Sequence, residues 1–254
     1  MELSDDLDRA HLRPLLGDRP VRTFPAMLST EAEAVAWART GAPDGAVVTA
    51  GYVAAPRGRS GLDWDGAVDP AGWLACSVVI RPSGPSELDE GWLYLLGTLV
   101  VHDVLGAGGR TAELRWPDHL TAGDRPVAAV GVQLDAAGTT PSWAVLTLLA
   151  FVVPPPRGPV LASLLDALDR RRGDPGTVVV DARSRCATLG QRVRAHLLPM
   201  GPAGATIVGE AVDLAPDGGL VVRADDGARI VVLPQALGTL EDPGSGPMGP
   251  AGAG

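Results

Sequence analysis

Two segments gather residues that can handle an anion. Pro56-Arg57-Gly58-Arg59-Ser60-Gly61-Leu62-Asp63-Trp64 sets two guanidinium groups among glycines. Arg115-Trp116-Pro117-Asp118-His119-Leu120 places a cation, an indole, a carboxylate and an imidazole side by side. A guanidinium offers paired N–H donors that match a phosphate or carboxylate. Gly58 and Gly61 would let their loop fold over a ligand. Asp118 with His119 suits a divalent ion, though the same pair also reads as a turn with exposed polar residues. His102 beside Asp103 reads as a packed or surface histidine. Cys76 has no cationic neighbour to lower its pKa, so it reads as inert. The chain has no P-loop, dinucleotide fingerprint, zinc spacing or Ser-His-Asp pattern.

All 21 basic residues are arginine and none is lysine. A GC-rich coding bias would give that composition, and so would altered site chemistry. The net charge of −9 repels phosphate backbones, which argues against nucleic-acid binding. The 46% hydrophobic content and mean hydropathy of +0.15 are those of a globular chain. Met1–Asp6 is acidic with no apolar run, and Trp92–Val101 and Trp143–Val153 are too short to span a bilayer. The expectation is a soluble cytoplasmic protein with reduced Cys76 and Cys186.

The elements that would carry the two segments follow from periodicity. Helices are expected over Leu7–Leu16, from Ser29 or Thr30 to Arg39 with Glu33 at capping-box spacing, from Ser86 to about Leu105, and over Val160–Arg172. Strands are expected at Val21–Leu28, Val47–Val53, Trp73–Arg81, Ala112–Trp116, Pro126–Leu134 and Trp143–Val153. Ala54–Asp69 is a loop and Pro154-Pro155-Pro156 a connector. Beyond Gly176 the pattern turns to short β segments, Val193–Leu198, Thr206–Leu214, Gly219–Arg223 and Arg229–Leu233, with Asp-Gly turns between them. This reads as an α+β unit over residues 1–180, a small β-barrel over 181–241, and a Gly/Pro-rich disordered tail over 242–254.

Taken in order, these motifs resemble the biotin protein ligases that lack an N-terminal DNA-binding domain. Ser29-Thr30 resembles the family's Ser-Thr-Asn segment. Val47–Trp64 resembles its strand and Gly-Arg-Gly-Arg-x-Gly-Arg-x-Trp loop, and Gly72–Ser77 the next strand, which lines the biotin pocket. Arg115–Leu120 is similar to Lys-Trp-Pro-Asn-Asp, Asp124–Val132 to Arg-Lys-Leu-Ala-Gly-Ile-Leu, and Thr188–Val193 to the start of the C-terminal SH3-like domain. The resemblance implies a biotin/lipoate-ligase-like (class II synthetase-like) mixed sheet with packed helices. In that family the biotin carboxylate is activated by ATP as biotinyl-5′-AMP, and the acyl group passes to a lysine on a carrier protein.

Carried over residue by residue, the resemblance assigns ligand contacts to Ser29, Thr30, Arg57, Gly58, Arg59, Gly61, Trp64, Gly72, Trp73, Ser77, Trp116 and Asp118. It gives catalytic charge to Arg59, Arg115 and Arg125, and a metal to Asp118 and His119. Trp64 and Trp73 either wall an apolar pocket or pack in the core. The departures are as specific as the matches. Val53 stands for a glutamine, Pro56 for a glycine, Leu62 for an arginine, Asp118 for an asparagine, His119 for an aspartate and Ala129 for a glycine. Pro126 falls where the family has the strand lysine that bridges carboxylate and phosphate. Three functions stay in play. One is a catalytically impaired relative that binds biotin, biotinyl-AMP or a protein partner. Another is a working ligase using ATP and magnesium on a carrier protein. The third is an assembly role, as monomer or homodimer. Folding requires no cofactor in any of them.

Overall fold

A computed structural model describes residues 6–56, 59, 73–82, 88–135, 141–151, 153, 156–201 and 204–241. The expected loop residues Arg57, Gly58, Gly61, Trp64 and Gly72, the cap Ser86 and the tail lie outside them.

A seven-stranded sheet forms the larger unit. Its strands are β1 (Val21–Phe24), β2 (Val47–Ala50), β3 (Leu74–Ile80), β4 (Glu113–Arg115), β5 (His119–Ala122), β6 (Arg125–Leu134) and β7 (Ala144–Ala150), in the order β1-β2-β3-β7-β6-β5-β4. Only β1 with β2 is parallel. Helices α1 (Arg9–Leu16), α2 (Thr30–Arg39), α3 (Glu90–Ala107), α4 (Gly158–Arg172) and α5 (Pro175–Arg185) pack around it. A second sheet of β8 (Arg192–Leu197), β9 (Thr206–Leu214), β10 (Leu220–Ala224), β11 (Arg229–Val232) and β12 (Leu237–Glu241) is antiparallel throughout, in the order β11-β10-β9-β8-β12.

β3 and β7 are buried at every position, as their largely apolar runs, interrupted by Ser77 and Thr147, suit strands covered on both faces. One face presents Cys76, Val78, Val130, Leu146 and Leu148 to the main core with α3 and α4. Helix α3 is buried from Gly91 through Val101, so it needs no amphipathic stripe. On the other face Val48, Val79 and Val145 pack with Ala34 and Ala38 of α2. Further along that face Ala50, Ala75, Ala129 and Leu149 form a smaller cluster with Val53 and Phe151.

The main helices and strands fall where the periodicity puts them, with three additions. Helix α5 occupies a stretch expected to begin the β-rich part, and it runs through residues 180 and 181, between which the two units were divided. Its Val178-Val179-Val180 favours strand by propensity. Val178 and Ala182, four residues apart, are both buried in the main core, and packing decides. Strands β5 and β12 were also not expected. Asp89, rather than Ser86, precedes the first turn of α3. Ser29 caps α2 through the Ala32 N–H at 3.2 Å, while Glu33 leaves the cap and pairs with Arg22 at 2.7 Å.

Candidate ligand-binding site

Beside α2, the open part of the sheet face forms a shallow depression, or cleft, lined by Ala50, Gly51, Tyr52, Val53, Trp73 and Ala75. Register extends the row from its edge: Ala75 lies opposite Leu149, Leu149 opposite Ala129, and Ala129 opposite His119. Ala75 lines the cleft, while Leu149 and Ala129 are covered. Trp73 leans on Phe151, ring centres 5.1 Å apart, and its Nε1 is buried with no acceptor among the described residues. One row over, three buried hydroxyls connect. Ser77 donates to Thr30 at 2.9 Å and shares a 2.8 Å bond with Thr147. Thr30, Trp73 and Ser77 stand on or beside this face, and Ser29 is occupied with its helix cap. Cys76 points the other way, and burial pushes its thiol up to about 12.

Of the predicted cationic residues, the described ones, Arg59, Arg115 and Arg125, do not converge on the cleft. Arg59, 7% exposed, turns its guanidinium into the second sheet. Nη1 donates to the carbonyls of Leu237 and Pro234, and Nη2 donates to Gly238 at 3.1 Å. Its Nε lies 3.3 Å from Asp118 Oδ2. Asp118 is buried and also meets His119 Nδ1 at 3.2 Å. A metal at Asp118 and His119 would compete with that arginine, and no group of three His, Cys, Asp or Glu among the described residues could hold an ion. Arg115 is half-buried and pairs with Glu113 at 2.9 Å.

The β5–β6 ladder settles Arg125 and Pro126. Leu120 pairs with Ala128 but Thr121 pairs with Pro126, so Val127 is an extra residue, a bulge. Side chains alternate on either side of it, which places Pro126 on the face of Ala129 and turns the exposed Arg125 to the other.

The same segments build the joint between the sheets. Trp116 is 1% exposed, and its indole Nε1 donates to Gly218 at 2.8 Å while its backbone N–H donates to Thr188 Oγ1 at 3.0 Å. Helix α3 meets the Asp217-Gly218 turn backbone to backbone. A Cβ on Gly91 would lie 2.3 Å from the Asp217 oxygen, and one on Gly218 2.2 Å from the Gly91 carbonyl carbon. Glu90 and Tyr94 complete this polar cluster. Burial raises the Glu90 carboxyl, with Arg59 opposing. Burial, then the charges of Glu90 and Asp118, pushes the Tyr94 phenol well above its usual range.

Sequence reasoning missed Thr147, Glu90, Tyr94 and Arg157. Arg157 is 1% exposed and binds Asp6 as well as two carbonyls of the cleft. Following a proline run, it carried no signal that set it apart from the other arginines.

Residues 188–246 match the family model described as biotin protein ligase C terminal domain. The biotin protein ligase of Aquifex aeolicus, solved with biotin and ATP, superposes with a TM-score of 0.68 at 18% identity, covering 88% of this chain and 99% of that one. The chain has the biotin protein ligase fold. A biotin protein ligase-like protein of unknown function from Silicibacter superposes at TM-score 0.62 and 15% identity, over 87% of this chain and 96% of that one. The Helicobacter pylori biotin acetyl coenzyme A carboxylase synthetase, with bound biotinylated ATP, does so at TM-score 0.60 and 16% identity, over 84% of this chain and all of that one. No curated protein sequence matches the chain. Within the ligase fold, residues 188–246 are the SH3-like C-terminal domain, which receives Arg59 and Trp116. No helix among the described residues is long and apolar enough to cross a membrane.

Proposed function

We propose that this chain is a ligand-binding relative of the biotin protein ligases. In this reading it holds a biotin-like acyl ligand in the sheet-face cleft and does not drive ATP-dependent activation. One observation carries it: the cleft's lining of Ala50, Gly51, Tyr52, Val53, Trp73 and Ala75 holds no charged side chain, while the described arginines nearby are committed elsewhere. Arg59 is spent on the C-terminal domain, Arg157 on Asp6 and Arg115 on Glu113, and Pro126 stands on the cleft's face. Acyl-adenylate formation needs positive charge over the phosphates. A neutral, largely apolar cleft edged by main-chain groups suits an amide- or ureido-like group with an apolar chain.

The solved neighbours make biotin the first probe, and the resemblance to the ligases adds biotinyl-AMP. Calorimetry should detect binding of at least one, and ATP–pyrophosphate exchange should stay at background with biotin and a panel of other carboxylic acids. Exchange above background with any acid would overturn the proposal.

A working ligase is the second reading. It is favoured by Arg59, Asp118 and His119 meeting within 3.3 Å beside Ala129, where a phosphate or metal could exchange for the present partners. It would use ATP and magnesium and pass the acyl group to a carrier-protein lysine. The pyrophosphate measurement separates the two.

A further inference from the structure

Strands β2 and β3 pair up to Thr49 and Cys76 and then part around the connecting segment. Just beyond, the carbonyls of Gly51 and Trp73 both accept from Arg157 Nη1, each at 2.9 Å. Both residues line the cleft. The other edge of the same guanidinium is filled by Asp6. Nη2 donates to Oδ1 at 2.7 Å, Nε lies 3.1 and 3.2 Å from the two carboxylate oxygens, and the Arg157 backbone N–H donates to Oδ2 at 2.6 Å. Arg157 directly precedes α4, and Asp6 precedes α1. One buried fork therefore ties the N-terminal segment, the start of α4 and both sides of the cleft's mouth.

We propose that Arg157, with Asp6 as its counter-ion, is a positioning residue that sets the width of the cleft and thereby its affinity for an acyl ligand. The inference rests on the reading of the cleft as a ligand site. Arg157 acts as a surrogate rung where the β2–β3 ladder ends. Its planar fork meets carbonyls on one edge and a carboxylate on the other, an arrangement a lysine ammonium cannot reproduce. Asp6 neutralises the buried charge, so the clamp needs no ligand to be stable, and loss of Asp6 alone would strand a cation beneath the cleft.

The test pairs two variants with two measurements. Arg157→Met with Asp6→Asn removes both charges together, which spares the fold far better than removing one. Amide exchange of peptides spanning 47–56 and 73–80 should quicken by about tenfold, with β9 and β10 unchanged, and the Kd for biotin or biotinyl-AMP should rise about tenfold. Arg157→Lys should fall between this variant and the wild type in both. Should the double variant not fold, Arg157→Lys carries the same two measurements. Wild-type exchange in 47–56 and 73–80 would overturn the clamp, and faster exchange with an unchanged Kd would overturn its positioning role. If the wild-type protein binds neither probe, the proposed function fails, and the exchange rates still decide whether the clamp exists.

Discussion

The cleft and the joint between the two sheets treat charge in opposite ways, and of the two only the joint takes in the described residues of the two motif segments. At the cleft the lining side chains carry no charge, and the guanidinium of Arg157 that borders it is neutralised by Asp6. At the joint, Arg59, Asp118 and Glu90 are drawn together beneath the C-terminal domain. Buried charge must be paired or hydrogen-bonded to be tolerated. Here three main-chain carbonyls and a carboxylate receive the motif arginine, and they belong largely to the second sheet. A loop arginine read as a phosphate grip can thus act as a strut between two units, and the fold persists either way.

The largest effect expected from breaking this contrast is at Gly218. Its φ of +86° disfavours a side chain, and a Cβ would lie 2.2 Å from the Gly91 carbonyl carbon. Gly218→Ala should lose about 3 kcal/mol in urea unfolding, by strain and overpacking together. Biotin affinity should change less than about twofold if joint and cleft are separate. A loss under about 1 kcal/mol would mean that the two backbones do not meet as described.

Arg59→Met comes next. It leaves the carbonyls of Leu237 and Gly238 without their donor and the Asp118 carboxylate without its counter-ion, which should cost about 2 kcal/mol. A strut predicts that loss with ligand affinity nearly intact. Preserved stability with collapsed affinity would assign Arg59 to the ligand instead. Pro126→Lys runs the contrast the other way by putting a cation on the cleft's face. It should tighten binding of biotinyl-AMP or pyrophosphate by about tenfold in calorimetry. No gain would mean that position 126 does not face the ligand.

Much of the fold was legible because periodicity reports burial, and burial on one face or two decides strand and helix. What escaped depends on contacts distant in sequence. Val178-Val179-Val180 names a strand locally and becomes a helix because Val178 and Ala182 meet the core. The site was legible in its types and not in its partners. Thr30 and Ser77 were singled out separately and are bonded to each other, and nothing near Thr147 announces that it completes their chain. The opposite faces of Pro126 and Arg125 were foreseen from strand alternation. The bulge at Val127, invisible in the sequence, is what puts Pro126 with Ala129. Arg59 could not be assigned from its loop, because its acceptors lie about 175 residues further on and are main-chain atoms, which no side-chain pattern reveals.

The smallest expected effect concerns Glu90, and its sign is definite. Burial raises its carboxyl, so the folded state holds the proton to higher pH than the unfolded chain does. Its contribution to stability is therefore fully present below the unfolded pKa and is lost as pH rises through the folded one. Asp89 is shifted the same way, by burial and then by the charge of Asp217. Glu90→Gln should match the wild type in acid and melt higher at neutral pH, by no more than about 2 °C. Because Arg59 opposes the shift, the gap should widen when the same change is made in Arg59→Met. Parallel melting profiles from pH ~4 to ~7 in both backgrounds would show that Glu90 and Arg59 do not share the joint. A gap that widens only without Arg59 would tie the motif loop to the C-terminal domain electrostatically as well as by hydrogen bonds.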